Sequence, residues 1–153
     1  MMNVERTTDA ATEPVTLAEV KSALAITSTF DDTRLTALII AARQSIENDT
    51  DRSFITQTWT MTLDHWPTYH APVVEVPKGK VISITGFSYL DTNGDSVNLI
   101  ADTDYYFSNN GPKGILVPAT SWPSVYTSKK QVITITFTAG YGSASDVPHE
   151  LKE

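Results

Sequence analysis

Hydrophobic residues recur at three- and four-residue steps in the first third of the chain, which is the period of a helix. The clearest run places its apolar residues on one stripe, at Leu35, Leu38, Ile39, Ala42 and Ile46. Asp31 or Asp32 stands where its N-terminal cap belongs, and an earlier run has Thr16 and Glu19 at capping-box spacing. The pattern predicts two helices. It also predicts that the second helix buries its stripe, so that a carboxylate at Leu38 would abolish folding.

From Ser53 onward the hydrophobic period changes from 3.6 to two, which is the period of a strand. In "SFITQTWTMTLDHW" one set of side chains is apolar and the alternate set is mostly threonine. Further runs of this kind lie at 73–76, 81–90, 97–100, 105–107, 115–117 and from 131. Prolines and glycines separate the runs. We therefore expect an α+β protein with a central antiparallel β-sheet, folded as a sandwich or a small barrel.

The two ends of the chain have their own patterns. Residues 1–13 are polar and predict a flexible arm. The final stretch, 143–153, predicts the start of a C-terminal helix, with Asp146 as its cap and Pro148 in its first turn. Between them lie a helical part, 14–52, and a β part, 53–142. The four parts are expected to form one structural domain.

Composition and charge exclude several classes of function. The chain of 153 residues has no cysteine, which excludes disulfides and thiolate ligands or nucleophiles. Its net charge is -7 and its 11 basic residues are scattered, so tight binding to nucleic acid or to a membrane surface is not expected. The sequence contains no signal-peptide pattern and no apolar run of membrane-spanning length. We expect a soluble protein made in a cytoplasm.

The stretch "DTNGDSVNLIAD", 91–102, has acidic or amide side chains at the positions where a calcium loop begins and ends. However, Ser96 replaces the required glycine, Asp102 replaces the usual glutamate, and strand-like runs flank the stretch. Asn93 and Gly94 suit the tight turn of a β-hairpin. The sequence favours a hairpin without metal, although a calcium- or carbohydrate-binding β-module remains the alternative function.

Candidate catalytic residues are few. His65 and His70 lie with Asp64 in the loop "LDHWPTYHAP", which leaves a hydrolase conceivable if folding supplies a partner carboxylate. The loop has no zinc-protease spacing, and the chain has no nucleophile elbow and no phosphate-binding glycine motif. We therefore expect no enzyme, no catalytic residue, no metal and no cofactor.

The order of several phrases along nearly the whole chain resembles the head-tail connector, or adaptor, proteins of tailed double-stranded DNA bacteriophages. The phrases are "EPVTLAEVKSAL", "DDTRLTALIIAARQSIENDTDRSFITQTW", "LDHWP", "SYLDTNGD", "WPS", "QVITITFTAGYG" and "VPHELKE". The family usually has Thr-Gly-Arg after the second helix, where this chain has Thr50, Asp51 and Arg52. Asp51 can adopt the left-handed cap that this position needs. Family members also continue as a helix beyond the Val-Pro segment.

The resemblance implies a structural protein of the virion neck, assembled in the host cytoplasm. It implies a ring, typically of twelve copies, between the portal protein and the next head-completion or tail protein. Genomic DNA would pass through its channel without sequence-specific binding. The terminal segment, with Val147, Pro148 and Leu151, is expected to engage the portal, and the aromatic loops of Trp66 and Trp122 are expected to make subunit contacts.

Overall fold

A computed structural model describes residues 1–67 and 72–152 of the chain. Two α-helices, α1 (Leu17–Ala23) and α2 (Asp32–Thr50), accompany eight strands in the described residues. The strands are β1 (Met2–Thr8), β2 (Gln57–Leu63), β3 (Val74–Val76), β4 (Val81–Leu90), β5 (Ser96–Asn98), β6 (Tyr105–Ser108), β7 (Gly114–Pro118) and β8 (Ile133–Ala139). The predicted α+β class is confirmed. No helix in the described ranges is both long and apolar enough to cross a membrane.

The strands form two antiparallel sheets. One has five strands in the order β1-β2-β8-β4-β5, and the other has three in the order β3-β7-β6. Both sheets contribute to one buried cluster, which includes Met61, Ile135, Val74 and Leu116. Within the described residues neither sheet closes on itself, so the alternative of a small barrel was wrong.

The pairing of β2 with β8 confirms the predicted alternation. Trp59 pairs with Phe137 and Met61 with Ile135 on the inner face, while Thr60 faces Thr136 on the outer face. Burying each of the large inner side chains contributes about 2 kcal/mol. The inner face therefore supplies most of the apolar stabilisation of this sheet.

The first residues form an edge strand, and the expected flexible arm was wrong for this segment. Strand β1 pairs with β2 along Met2–Thr8, with a bulge between Arg6 and Thr8. The Arg6 guanidinium lies 5.6 Å from the centre of the Trp59 ring and donates to Gln57 Oε1 over 3.2 Å. Backbone pairing and these polar contacts hold the strand. An edge strand that is exposed to solvent needs few apolar residues. The polar sequence of β1 therefore does not show the pattern of a strand.

The helix ends follow the local sequence with one exception. Thr16 and Glu19 form the predicted capping box at the start of α1. Asp51 adopts the left-handed conformation at the end of α2, as predicted. At the start of α2, however, Asp31 makes no side-chain cap bond, and Asp32 instead pairs with Lys21 of α1 over 2.6 Å. This ion pair joins the two helices where a cap was expected.

The C-terminal segment contains two single 3₁₀ turns, Ala144–Asp146 and His149–Leu151, in place of the predicted start of an α-helix. Ser143 occupies the cap position that was assigned to Asp146, and the two side chains bond each other. Val147 separates the turns in an extended conformation. The cause is local: the ring of a proline disfavours the helical conformation of the residue before it, and Val147 precedes Pro148.

Candidate functional site

Helix α2 faces the protein with a different side from the one its sequence predicts. Its buried residues are Ile39, Arg43 and Glu47. Of the apolar stripe only Ile39 is buried, whereas Leu38 is 53% and Ile46 is 43% exposed. At about 100° per residue, the buried set is centred roughly 80° around the helix from the stripe. The expectation that the stripe, and Leu38 in particular, is buried was wrong.

The exposed half of the stripe forms one wall of a groove. Helix α1 and the last 3₁₀ turn provide the other walls, and Phe54 lies at its floor. The groove has a volume of about 340 Å³, and its apolar lining includes Val20, Leu24, Leu35, Leu38, Ile46 and Leu151. Leu24 at the end of α1 is 60% exposed. We call these six residues the helix face.

Beneath the helix face, a buried ionic network fastens α2 to the rest of the molecule. Arg43 donates to Glu47 on its own helix over 2.8 Å, to Glu13 over 2.7 Å and to Asp9 over 3.3 Å. Glu47 also accepts hydrogen bonds from the Phe54 backbone amide and from the Gln57 side chain. The network therefore ties the segment after β1, helix α2 and the start of β2 to one another.

The Arg43 guanidinium faces three carboxylates, those of Glu47, Glu13 and Asp9, so the charges around it are mostly negative. Burial alone would lower the pKa of Arg43, but the hydrogen bond that it donates to Glu13 and the negative charges of Glu47, Glu13 and Asp9 raise it above its ordinary value. The guanidinium consequently stays charged at any physiological pH. Each of the three carboxylates accepts a hydrogen bond from Arg43, so the network serves as an anchor for α2.

Sequence reasoning missed the network, although part of its signal was present. Arg43 and Glu47 are four residues apart, which is the spacing of a helical ion pair. Such pairs are usually solvent-exposed, so the spacing alone does not indicate that these two residues are buried. Only the folded chain shows that Glu13 and Asp9 approach the same guanidinium.

The two predicted tryptophans lie together. Trp66 and Trp122 stack with ring centroids 4.5 Å apart and ring planes 9° apart. The indole N–H of Trp66 donates to the Pro123 carbonyl, and that of Trp122 donates to the Pro72 carbonyl. Trp66 is buried and Trp122 is half-buried. The pair thus holds the loop of Trp66 against the loop of Trp122. Its part in subunit contacts stays a prediction.

The three predicted residues of the terminal segment lie apart from the tryptophans. Val147 is buried against Phe54, and Leu151 is half-buried in the same small cluster. Pro148 is half-buried between the two 3₁₀ turns. The segment is thus fastened beside the helix face. Its engagement of a partner also stays a prediction.

The stretch 91–102 forms the predicted hairpin, in which β4 and β5 pair. The Asp91 carboxylate accepts hydrogen bonds from the amides of Asn93 and Asp95, and Gly94 has a φ of 91°. The turn itself thus uses the carboxylate that would begin a calcium loop. Across 1–67 and 72–152, no group of three or more histidine, aspartate or glutamate side chains is placed to hold a metal ion.

The candidate catalytic loop is only partly described, since His70 lies outside the described residues. Asp64 accepts hydrogen bonds from the Gln131 amide over 2.9 Å and from the terminal ammonium of Met1 over 3.0 Å. The Gln131 amide is the main cause of the lowered pKa of Asp64, and the ammonium adds to it. This carboxylate therefore holds a strand and the chain terminus. His65 is exposed, and no carboxylate of the described chain bonds its ring.

These features describe an α+β protein that leaves half of the apolar stripe of α2 at its surface. A family model described as "Phage gp6-like head-tail connector protein" matches residues 14–115. Since the match covers more than half of the 153 residues, the chain belongs to this family of head-tail connectors, which are structural proteins of the virion. Among curated proteins, none matches the sequence.

Solved structures of gene transfer agent (GTA) particles share the fold. A chain in the neck of an empty GTA particle, computed with C6 symmetry, matches with a TM-score of 0.81 and 20% identity, over 98% of this chain and 77% of that chain. A chain in a native GTA virion matches with 0.76 and 21% identity, over 97% and 77%. A chain in a native GTA neck computed with C12 symmetry matches with 0.70 and 21% identity, over 98% and 76%.

Proposed function

We propose that this head-tail connector forms a ring of twelve copies between the portal protein and the next head-completion or tail protein. The observation that carries the proposal is the family match across both helices and most of the β part. The resemblance of the fold to chains in GTA necks computed with C6 and C12 symmetry supports the ring. The protein would reside in the virion neck after assembly in the host cytoplasm.

In this proposal the terminal segment, 143–153, engages the portal. Val147 anchors that segment in the small cluster around Phe54, which would hold Pro148 and Leu151 in a fixed place for the partner. A fixed segment loses less conformational entropy on binding than a mobile one. The β part, 53–142, would face outward or toward neighbours, with Trp66 and Trp122 bracing its loops for those contacts.

The acidic charge suits a channel for DNA. A net charge of -7 repels phosphates, so genomic DNA would slide past the ring without sequence-specific binding. Neither a membrane nor a catalytic reaction has a part in this function.

The test is the mass of the purified protein by light scattering, alone and mixed with portal assemblies from the same source. We expect co-migration with the portal, at a mass that corresponds to a ring. Leu151→Glu should weaken the complex, whereas Thr85→Glu, on the exposed outer side of β4, should leave it unchanged. If the parent protein ignores the portal at every concentration, the proposed function is wrong.

A further inference from the structure

Two basic residues, Arg52 and Lys80, line a cleft beside the start of β4. Most other basic side chains of the chain pair with a carboxylate, as Lys78 does with Asp51 over 3.0 Å. In the part of the chain that the structure describes, no carboxylate lies within ion-pair distance of Arg52 or Lys80. The cleft is therefore cationic on a chain whose net charge is -7.

The walls of this cleft are backbone segments that lie close together. The loop 110–112 lies against Gly79, where an added Cβ atom would be 1.7 Å from the Pro112 carbonyl oxygen, so the approach requires glycine. The Gly140 amide donates to the Lys80 carbonyl over 2.8 Å and fixes the start of β4. The cleft has a volume of about 450 Å³, which is in the range of small-ligand sites.

The hydrogen-bond donors of the cleft suit an oxyanion. The Arg52 guanidinium donates to the Tyr141 hydroxyl oxygen over 3.1 Å, and both residues line the cleft. Because that oxygen accepts a bond, the hydroxyl hydrogen is free to donate to a ligand, as is the side-chain amide of Asn110. A carboxylate is satisfied by one guanidinium, whereas the oxygens of a phosphate accept bonds from several donors. Two cations with two neutral donors therefore favour phosphate.

We propose that the cleft binds a phosphate group of the DNA backbone that passes through the ring, an inference that rests on the proposed function. Contacts of arginine and lysine with phosphates carry no sequence information, which agrees with passage of the genome without sequence-specific binding. Each copy supplies one such contact on a chain of net charge -7, so the overall repulsion of DNA persists. The cleft thus guides the duplex without holding it tightly.

Titration with inorganic phosphate, against chloride at constant ionic strength, tests the site by NMR. The backbone amide signals of Gly79 and Gly111 should shift in the parent protein. Lys80→Gln should weaken phosphate binding about tenfold, because a charge-assisted hydrogen bond is lost, and Arg52→Gln should weaken it at least as much. Lys129→Gln is the matched control and should bind as the parent does, since Lys129 is also exposed and pairs with no carboxylate of the described chain.

A short DNA duplex at low salt tests the source of the phosphate. The duplex should shift the same amide signals, and Lys80→Gln should reduce the salt slope of its affinity by about 1. The proposal is overturned if phosphate does not shift the signals, if Lys80→Gln binds phosphate as Lys129→Gln does, or if phosphate binds and the duplex does not. Acetate that binds as tightly as phosphate would also overturn it, since the cleft would then fit a protein carboxylate.

Co-migration with the portal, measured on the same preparations, separates this inference from the proposed function. If the parent joins the portal but phosphate shifts no signal, only the cleft proposal is wrong. If the parent binds phosphate in the cleft but ignores the portal, the proposed function is wrong and DNA in the ring is not the source of the phosphate.

Discussion

The two layers of the molecule bury opposite kinds of residue. In the five-stranded sheet, Met61, Ile135 and Phe137 are fully buried in an apolar cluster. In the helical layer, α2 turns Arg43 and Glu47 inward and leaves Leu38 at the surface. The difference teaches that the central strands bury their apolar side chains inside the chain, while the helical layer leaves part of its apolar stripe exposed.

The two layers also differ in what their contacts contribute to stability. Apolar burial in the sheets is favourable in itself. A buried ion pair gains little net free energy, because the cost of removing the charges from water offsets their attraction, yet removing one partner is costly. The network around Arg43 therefore fixes the position of α2 more than it stabilises the fold. Each of the following predictions tests one side of this contrast.

The largest effect is expected in the sheet core. Phe137→Ala should lower the free energy of unfolding by about 4 kcal/mol, because the side chain is fully buried on the central strand β8 and leaves a cavity. Urea denaturation measures the change. Phe137→Leu is the control and should cost much less. A loss of under about 1 kcal/mol for the alanine variant would show that the core can collapse around the site.

The next largest effect is expected in the ionic network. Arg43→Met should destabilise the protein by about 3 kcal/mol, because Glu47 and Glu13 then lose their buried partner. Chemical denaturation of this variant should be compared with that of Arg34→Met, which removes an exposed arginine from the same helix. Equal stability of the two variants would mean that the network is not an anchor.

Prediction from sequence succeeded where the local period decides the structure. Along β2, Trp59 and Met61 alternate with threonines, so only one of the two faces of the strand is apolar. That face packs on the core. The Asn93-Gly94 turn and the Asp51 helix end were readable for a similar reason, since each depends on the conformation of one or two residues. The connector family was recognisable from the order of short phrases, which the family match confirms.

Prediction failed where the structure depends on contacts between segments that are far apart in the sequence. The stripe of α2 indicates a helix, but the side that faces the body depends on Glu13 and Asp9, which no period links to Arg43. Strand β1 depends on backbone pairing with β2, which needs few apolar residues. The stacking of Trp66 on Trp122 likewise follows from chain topology.

The hairpin tip offers a smaller test that is independent of both layers. Gly94→Val should destabilise the protein by about 1–2 kcal/mol, because valine is strained at the positive φ of this turn. Thermal unfolding should show the loss with and without calcium alike. Gly94→Asn is the control, since asparagine tolerates this conformation. A calcium-dependent difference between the parent and Gly94→Val would reopen the calcium-binding alternative.

The loss of stability at low pH tests the contacts of Asp64, which hold the chain terminus at the edge of the sheet. The pKa of Asp64 is lowered mainly by the hydrogen bond from the Gln131 amide and further by the Met1 ammonium. The ionised carboxylate therefore stabilises the fold at pH values above the ordinary pKa of an aspartate. That stabilisation is lost as the pH falls through the lower pKa of the folded state. The melting temperature of Asp64→Asn should therefore fall less between pH 7 and pH 3 than that of the parent. Asp49→Asn on the exposed side of α2 is the control, and a parent-like acid response of Asp64→Asn would contradict the assignment.

The smallest effect on stability separates the helix face most clearly from the core. Leu38→Asp should change the free energy of unfolding by no more than about 0.5 kcal/mol, because the side chain is already 53% exposed. The neighbouring Ile39→Asp should cost several times more, since Ile39 is 9% exposed. Equal losses in urea denaturation would mean that the stripe is buried as its period suggests. A folded Leu38→Asp variant that no longer associates would instead show that the apolar half of α2 serves a contact between molecules.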